Sequence, residues 1–127
     1  MMPIRDAEEP DAAAISVFAE TSADAVREMI RRRTVRVSET ADGIQAMVSF
    51  DATPNHVQIA SLAGNTADFE RLLQEPIRFG EQVELPVQMV IPVTEKASVQ
   101  ALESAGFDHI GEGPMFEGTP TLVYRRQ

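Results

Sequence analysis

The side chains that could act in catalysis are few in this sequence and lie far apart. There are two histidines, His56 and His109, one tyrosine, Tyr124, and no cysteine. A histidine can accept or donate a proton near neutral pH, but a solvent-facing position beside a turn is the commoner role of such residues. Two histidines this far apart do not predict a metal site, and the lack of cysteine excludes thiol catalysis and disulfides. P-loop, GxGxxG and serine-elbow motifs are absent as well.

The charge of the chain narrows the classes of partner. The formal net charge is −9, which disfavours binding to nucleic acid or to an anionic membrane surface. The same charge could attract a cationic, amine-bearing substrate, although solubility explains it equally. The single lysine, Lys96, and the acidic surface would also suit a halophile.

Length and hydropathy predict one globular domain over residues 1–127. Hydrophobic residues make up 43% and charged residues 24% of the 127 positions, which is typical of a folded domain. No apolar run approaches the roughly 18 residues that span a bilayer. The N-terminus lacks the pattern of a secretory signal, so we expect a cytoplasmic protein.

The first half of the chain predicts a strand, two helices and a three-stranded meander. PIRDA (3–7) reads as a strand, Asp11 as the cap of a first helix, and Thr21 or Ser22 as the cap of a second. Apolar residues then alternate with polar ones in TVRVSE, and IQAMVSF and HVQIASLA follow as a second and a third strand. The turn signals TADG and DATPN separate these segments, which predicts antiparallel strands.

The second half predicts two helices and three strands. Phe69, Leu72 and Leu73 form a helical stripe after a cap at Asn65 or Thr66, and Pro76 is expected to interrupt this helix. VQMVIPV (87–93) reads as a strand buried on both faces. EKASVQALESAGF (95–107) is a helix closed by Gly106 in a left-handed conformation. The segments DHIGEG and TLVYRR are two last strands, joined by the loop PMFEGTP.

This ordered set of elements, β-α-α-β-β-β-α-β-α-β-β, resembles the GNAT superfamily, the N-acyltransferases that use acetyl-CoA. The opening PIRDAEEPDAAAISVF carries the resemblance, as does VQMVIPV followed by EKASVQALESAGF and a last strand ending in Tyr-Arg. The resemblance implies an α+β fold with a mixed, mostly antiparallel sheet flanked by helices. It also implies transfer of an acyl group from acetyl-CoA to the amine of a small molecule or peptide.

Within that resemblance, two segments correspond to the cofactor site. Ser61, Leu62 and Ala63 would offer main-chain groups to the acetyl-pantetheine arm of acetyl-CoA. Asn65 and Ala67 lie in LAGNTADFERLL, which corresponds to the loop that binds the pyrophosphate on backbone N–H groups at a helix start.

The chain also departs from the family pattern at this loop. The loop has no arginine, Phe69 stands where a small residue is usual, and Asp68 adds a negative charge where the phosphate is expected. The family tyrosine that protonates the leaving thiolate corresponds to Leu102, and a frequent asparagine corresponds to Glu95. These departures favour a non-catalytic GNAT-fold binding or regulatory module as the alternative to an enzyme.

The resemblance implies candidates for the remaining roles. His56, or a nearby carboxylate acting through water, would be the general base. Met115 and Phe116 lie in the loop where substrates of the family often dock, and they could equally form a homodimer contact. An open groove between HVQIASLA and VQMVIPV would favour the enzyme, and a groove filled by Phe69 and Met89 would favour the module. Pairing of these strands without splaying would indicate an unrelated α+β domain.

Overall fold

The computed structural model of this chain describes residues 4–127, which form a seven-stranded sheet with four α-helices. The strands are β1 Ile4–Asp6, β2 Thr34–Thr40, β3 Gly43–Ala52, β4 Val57–Gly64, β5 Val87–Pro92, β6 Asp108–Glu112 and β7 Thr121–Arg126. The helices are α1 Ala12–Ala19, α2 Ala23–Arg32, α3 Phe69–Val83 and α4 Lys96–Ser104. This element order confirms the predicted one, although Pro3, predicted to begin β1, lies outside the described residues.

The sheet is mixed and mostly antiparallel, as predicted. Its strand order is β1-β2-β3-β4-β5-β7-β6, and β4 and β5 form the parallel pair. The meander β2-β3-β4 is confirmed, and Gly43 takes a φ of +110° at its first turn. No helix within residues 4–127 is long and apolar enough to cross a membrane.

Two apolar clusters cover opposite faces of the sheet. One cluster joins α1 and α2 to the sheet through Ile15, Val26 and Met47, all of them fully buried. The other joins α3 and α4 to the opposite face, with Leu72 and Leu102 also fully buried. Because successive side chains of a strand point to opposite faces, β3 supplies residues to both clusters, with Met47 in one and Val48 in the other.

The helix ends follow the sequence signals in three of the predicted places. Ser22 Oγ accepts the N–H of Ala25 at 3.1 Å, and Asn65 Oδ1 accepts the N–H of Ala67 at 3.1 Å. Gly106 has a φ of +90° just after α4. Arg126 Nε donates to the carbonyl of Ala105 at 3.1 Å and so satisfies one orphan carbonyl at this helix end.

The prediction that Asp11 caps α1 is wrong. Its carboxylate makes no capping hydrogen bond to α1 and instead accepts from Arg5 Nη1 at 2.8 Å and Nη2 at 3.1 Å. Arg5 also reaches Glu39 on β2 through Nε at 3.0 Å. Asp11 Oδ2 also accepts the N–H of Glu8, three residues earlier, at 2.7 Å. Through its bonds with Arg5, Asp11 joins β1 and β2 to the start of α1.

The interruption predicted at Pro76 is also wrong, because α3 runs unbroken from Phe69 to Val83. A proline inside a helix costs about 3 kcal/mol. Pro76 is buried on the apolar face of α3 together with Leu72, Leu73 and Ile77. Burial of this face against the sheet outweighs the cost of the proline.

Strand β5 differs from its prediction as well. Val87, Met89 and Ile91 are buried, whereas the alternating residues between them are only half-buried. The strand therefore has its core face toward α3 and α4 and a partly open face on the side of α1 and α2.

The Arg5 cluster predicts a specific pH dependence of stability. Hydrogen bonds from Arg5 hold the pKa of Asp11 and that of Glu39 below the ordinary carboxyl value. A lowered folded-state pKa contributes stability that is present above the unfolded-state pKa of about 4 and is lost as the pH falls through the folded-state value.

Arg5→Gln should lower the free energy of unfolding at pH 7, and the difference between the variant and the wild type should shrink below pH 4. Urea unfolding measured from pH 7 to pH 2.5 would check this. A difference that stays constant with pH would contradict it, and Arg27→Gln, at the exposed pair with Asp24, serves as the control.

The end of β4 predicts a second stability effect. Gly64 has a φ of +106°, and a Cβ there would lie 2.5 Å from the carbonyl oxygen of Gln45. Gly43 has a similar φ of +110°, with nothing within 4 Å of its Cβ position. Gly64→Ala should therefore destabilise the protein by about 2 kcal/mol more than Gly43→Ala, which has only the backbone strain. Equal losses in chemical unfolding would contradict this.

Candidate functional site

The parallel pair β4–β5 opens partway along its length. Pairing joins Val57 to Val87, Gln58 to Gln88 and Ile59 to Met89, and then it ends. Strand β4 continues to Gly64 and β5 to Pro92. Because backbone groups of successive residues point to alternate edges of a strand, alternate residues of 60–64 direct their N–H and C=O groups into the opening.

A β-bulge at Ala60 accompanies the opening. On β3, Phe50 pairs with Ile59 and Ser49 pairs with Ser61, so Ala60 is the extra residue of β4. A bulge bends its strand and shifts the side-chain alternation by one residue. Accordingly Ile59 belongs to the core under α3 and α4, whereas Ala63 packs with the core under α1 and α2. This bulge was not predicted; its one signal in the sequence is the number of small residues in ASLAG.

The opening is a cleft of about 580 Å³. Its walls are residues 60–64 of β4 and 89–92 of β5, the end of α1, one face of α2 and the first residues of α3 and α4. Phe69 and Met89 line it with exposed fractions of 4% and 3%, so they form its wall without filling it. The groove is open and reaches both faces of the sheet.

A second cavity of about 260 Å³ lies between the starts of α3 and α4. Thr66 and Ala97 line both this cavity and the main cleft, so the two are adjacent. Ala67 lines it as well, and Glu70 is the acidic residue in its wall. The first amides of the 15-residue helix α3 lie at this end of the cleft.

Asp68 does not direct its charge to the helix start, contrary to the sequence-based expectation. Its exposed fraction is 4%, and its Oδ2 accepts a hydrogen bond from Ser38 Oγ on β2 at 2.9 Å. The side chain therefore points under the loop toward the sheet. It fastens the segment between β4 and α3 to β2.

The predicted cofactor-binding residues lie in three places: the main cleft, the second cavity and the exposed turn before α3. Ser61, Leu62 and Ala63 line the main cleft, and Ala67 lines the second cavity. Asn65 is exposed at the turn, and its side chain is engaged by the N–H of Ala67. Their contacts with a cofactor stay predictions.

His56 lies apart from the cleft. It belongs to the turn between β3 and β4, where Nδ1 is 3.2 Å from Thr53 Oγ1 and Nε2 is 2.8 Å from Gln58 Oε1. Ala60 lies four positions further along the chain, a span of about 13 Å in an extended strand. Both ring nitrogens are engaged, so this position does not favour His56 as the base.

Glu20 and Glu95 are the ionisable residues among those that line the main cleft. Glu20 follows α1 with a left-handed φ of +55°, which costs a residue with a Cβ about 1 kcal/mol. No pattern in the sequence predicted that Glu20 would line the cleft. The Thr-Ser pair that follows it was the available signal, because a second helix cap so close requires the chain to turn sharply.

His109 and Tyr124 are not among the residues that line the cleft. Their rings contact each other with centroids 5.5 Å apart. Tyr124 is 3% exposed, and its hydroxyl donates to Glu103 Oε2 at 3.0 Å. Burial and this hydrogen bond raise the pKa of Tyr124, which fits a packing role. No group of three or more potential metal-ligating side chains is found within residues 4–127.

Met115 and Phe116 project from the β6–β7 connection. They are 63% and 58% exposed, and they line a cavity of about 270 Å³ together with Pro114, Thr121 and three residues of the splayed strands. Those three residues, Ala60, Val90 and Pro92, also line the main cleft. The structure therefore brings the predicted substrate loop next to the opening between β4 and β5.

Comparison with solved structures supports this fold over nearly the whole chain. No protein-family model matches the chain, and no curated protein matches it by sequence. Solved structures do match. A Desulfovibrio desulfuricans protein assigned to the GNAT family of acetyltransferases superposes with a TM-score of 0.80 at 15% identity, covering 100% of this chain and 99% of that one.

Two further structures match to the same extent. Salmonella typhimurium yncA, assigned as an acetyltransferase and solved with its cofactor acetyl-CoA, has a TM-score of 0.80 at 19% identity, with coverages of 100% and 94%. Ard1 from Thermoplasma volcanium has a TM-score of 0.84 at 11% identity, with coverages of 98% and 96%. Likeness at such low identity establishes the architecture, and the chain therefore has the fold of the GNAT acetyltransferases.

Proposed function

We propose that this protein is an N-acyltransferase that moves an acetyl group from acetyl-CoA to a primary amine. The observation that carries the proposal is the open cleft where β4 and β5 part, with the start of α3 at one end. Such a cleft exposes strand backbone to a ligand, which an ordinary parallel pair does not.

The residues of the cleft fit an acyl-pantetheine arm. Residues 60–64 of β4 would hydrogen-bond its amides in the way that a strand pairs with an added strand. Thr66, Ala67 and Ala97 are small enough for a pyrophosphate to approach the first amides of α3. Asp68 turns its carboxylate toward Ser38 and lines neither cavity. Asn65 already occupies the N–H of Ala67, and no basic side chain lines either cavity. We therefore expect binding through the arm more than through the phosphates.

The transfer step requires a neutral amine beside the thioester. An ammonium ion first loses a proton to water or to a carboxylate in the cleft. The amine nitrogen then attacks the acetyl carbon, the C–N bond forms and the C–S bond breaks. The nitrogen gives up one more proton to water, and the sulfur leaves as a thiolate that takes up a proton, so that the products are an amide and the free thiol of CoA. Backbone N–H groups of β4 would stabilise the charge that develops on the carbonyl oxygen.

Ser98 is the candidate donor to the leaving sulfur. It lies on the first turn of α4, is 2% exposed and lines the main cleft. Leu102, one turn later, is fully buried in the core and cannot donate a proton, so the role that the family's tyrosine would have at this position is not filled there. A serine hydroxyl can donate a hydrogen bond to the thiolate, and water would complete its protonation.

The open groove disfavours the alternative, a GNAT-fold module without acyl-CoA binding. That alternative expects Phe69 and Met89 to fill the groove, and both lie in its wall. A cytoplasmic location, a homodimeric state and a halophilic source stay predictions.

Calorimetric titration with acetyl-CoA tests the proposed binding. We expect saturable binding with a Kd in the micromolar range, and we expect Ala67→Glu to weaken it by about tenfold or more because a carboxylate would then face the phosphates. Ala41→Glu, at the exposed turn between β2 and β3, is the matched control and should bind as the wild type does. Absence of heat at millimolar acetyl-CoA would contradict the proposal.

Asp68→Asn separates a structural role of Asp68 from a repulsive one. Since the side chain is buried against Ser38, removing its charge should leave the affinity for acetyl-CoA unchanged or lower. Loss of the charged hydrogen bond should reduce the free energy of unfolding by about 1–3 kcal/mol. A tenfold gain in affinity would show instead that Asp68 repels the phosphates.

A further inference from the structure

We infer that the acceptor is a primary amine with a compact apolar or aromatic group, which the β6–β7 loop binds while Glu20 attracts the ammonium. This inference rests on the proposed function and specifies its substrate class. It excludes polyamines and amino sugars, which carry no apolar group of this kind.

The loop that holds Met115 and Phe116 is constrained rather than loose. Phe116 and Thr119 exchange two backbone hydrogen bonds of 2.8 Å around a two-residue turn. That turn places Glu117 at a φ of +49° and Gly118 at +82°, the pattern of a type I′ hairpin. Thr121 Oγ1 also donates to the carbonyl of Pro114 at 2.6 Å. The two large apolar side chains are thus exposed on a preorganised support, which lowers the entropy lost on binding.

The loop lies next to the main cleft, on the face of the sheet opposite to α3 and α4. Met89 and Ile91 of β5 are buried toward α3 and α4, so Val90 and Pro92 point to the opposite face. Val90 and Pro92 line both the cavity of the loop and the main cleft. An apolar group held in the 270 Å³ cavity would therefore place an attached amine at the opening between β4 and β5.

Glu20 provides the matching charge. It leaves α1 on the same face of the sheet and lines the main cleft. A carboxylate there attracts the ammonium form of the acceptor, and the net charge of −9 acts in the same direction. Its left-handed backbone conformation is shared by Glu84, which follows α3 away from the cleft.

Acetyl transfer to 2-phenylethylamine, ethanolamine and spermidine tests the inference, with thiol release as the signal. The chain has no cysteine, so released CoA is the only thiol detected. We expect kcat/KM for 2-phenylethylamine to exceed that for the other two amines by at least about tenfold. Met115→Ser with Phe116→Ser should reduce this preference at least tenfold, whereas Ile110→Ser, an exposed apolar residue outside the cavity, should not.

Glu20→Gln should raise KM for all three amines at least threefold, and Glu84→Gln, with the same backbone conformation, should not. Equal rates for the three amines, or a preference for spermidine, would overturn the inference. The inference would also be overturned if Met115→Ser with Phe116→Ser turned a dimer into a monomer and kept the preference for 2-phenylethylamine. The loop would then be an interface between two copies of the chain.

A binding measurement separates failure of this inference from failure of the proposed function. The methyl resonance of Met115, assigned with Met115→Leu, reports amine binding without turnover. If acetyl-CoA gives no heat, the proposed function fails. If acetyl-CoA binds but 2-phenylethylamine is neither acetylated nor shifts this resonance, the inference alone fails. A shift without turnover supports the apolar subsite and counts against the transfer step.

Discussion

The loss of pairing between β4 and β5 is the constraint on which the rest of the site depends. The two strands pair over three residues each and then separate at the bulge at Ala60. Unpaired strand edges inside a sheet are costly, since each buried N–H or C=O without a partner loses free energy. The opening therefore favours a ligand with amide groups of its own, and an acyl-pantetheine arm has them.

Two surrounding features hold the opening in place. On one side, Ser38 and Asp68 fasten the loop before α3 to β2, and Gly64 packs its backbone against Gln45 and Ala46. On the other side, the pairing of β5 with β7 runs from Val87 to Pro92 and keeps β5 from following β4. The cleft is thus built from main-chain geometry, with few contributions from reactive side chains. The proposed acyl transfer therefore asks little of reactive side chains, which are few in this chain, and nothing of cysteine, which it lacks.

The sequence predicted the fold well because periodicity and turn signals report local structure. The alternation in β2, the turn signals on either side of β3 and the glycine at 106 predicted elements that the structure confirms. Prediction from the sequence failed where a contact with a distant residue decides the role of a side chain. Asp11 binds Arg5 rather than capping a helix, Pro76 is tolerated because its helix face is buried, and Asp68 turns toward Ser38. The bulge at Ala60 and the position of Glu20 in the cleft are likewise set by tertiary packing, which a single sequence does not encode locally.

Backbone hydrogen exchange, measured residue by residue with and without acetyl-CoA, tests the central claim most directly. Amides in a strand edge that gains a partner exchange more slowly. The account predicts that acetyl-CoA slows exchange at alternate residues of 60–64 and at the first amides of α3, while the turn at 40–43 is unchanged. Protection confined to other regions, or no change in 60–64 at saturating acetyl-CoA, would contradict it.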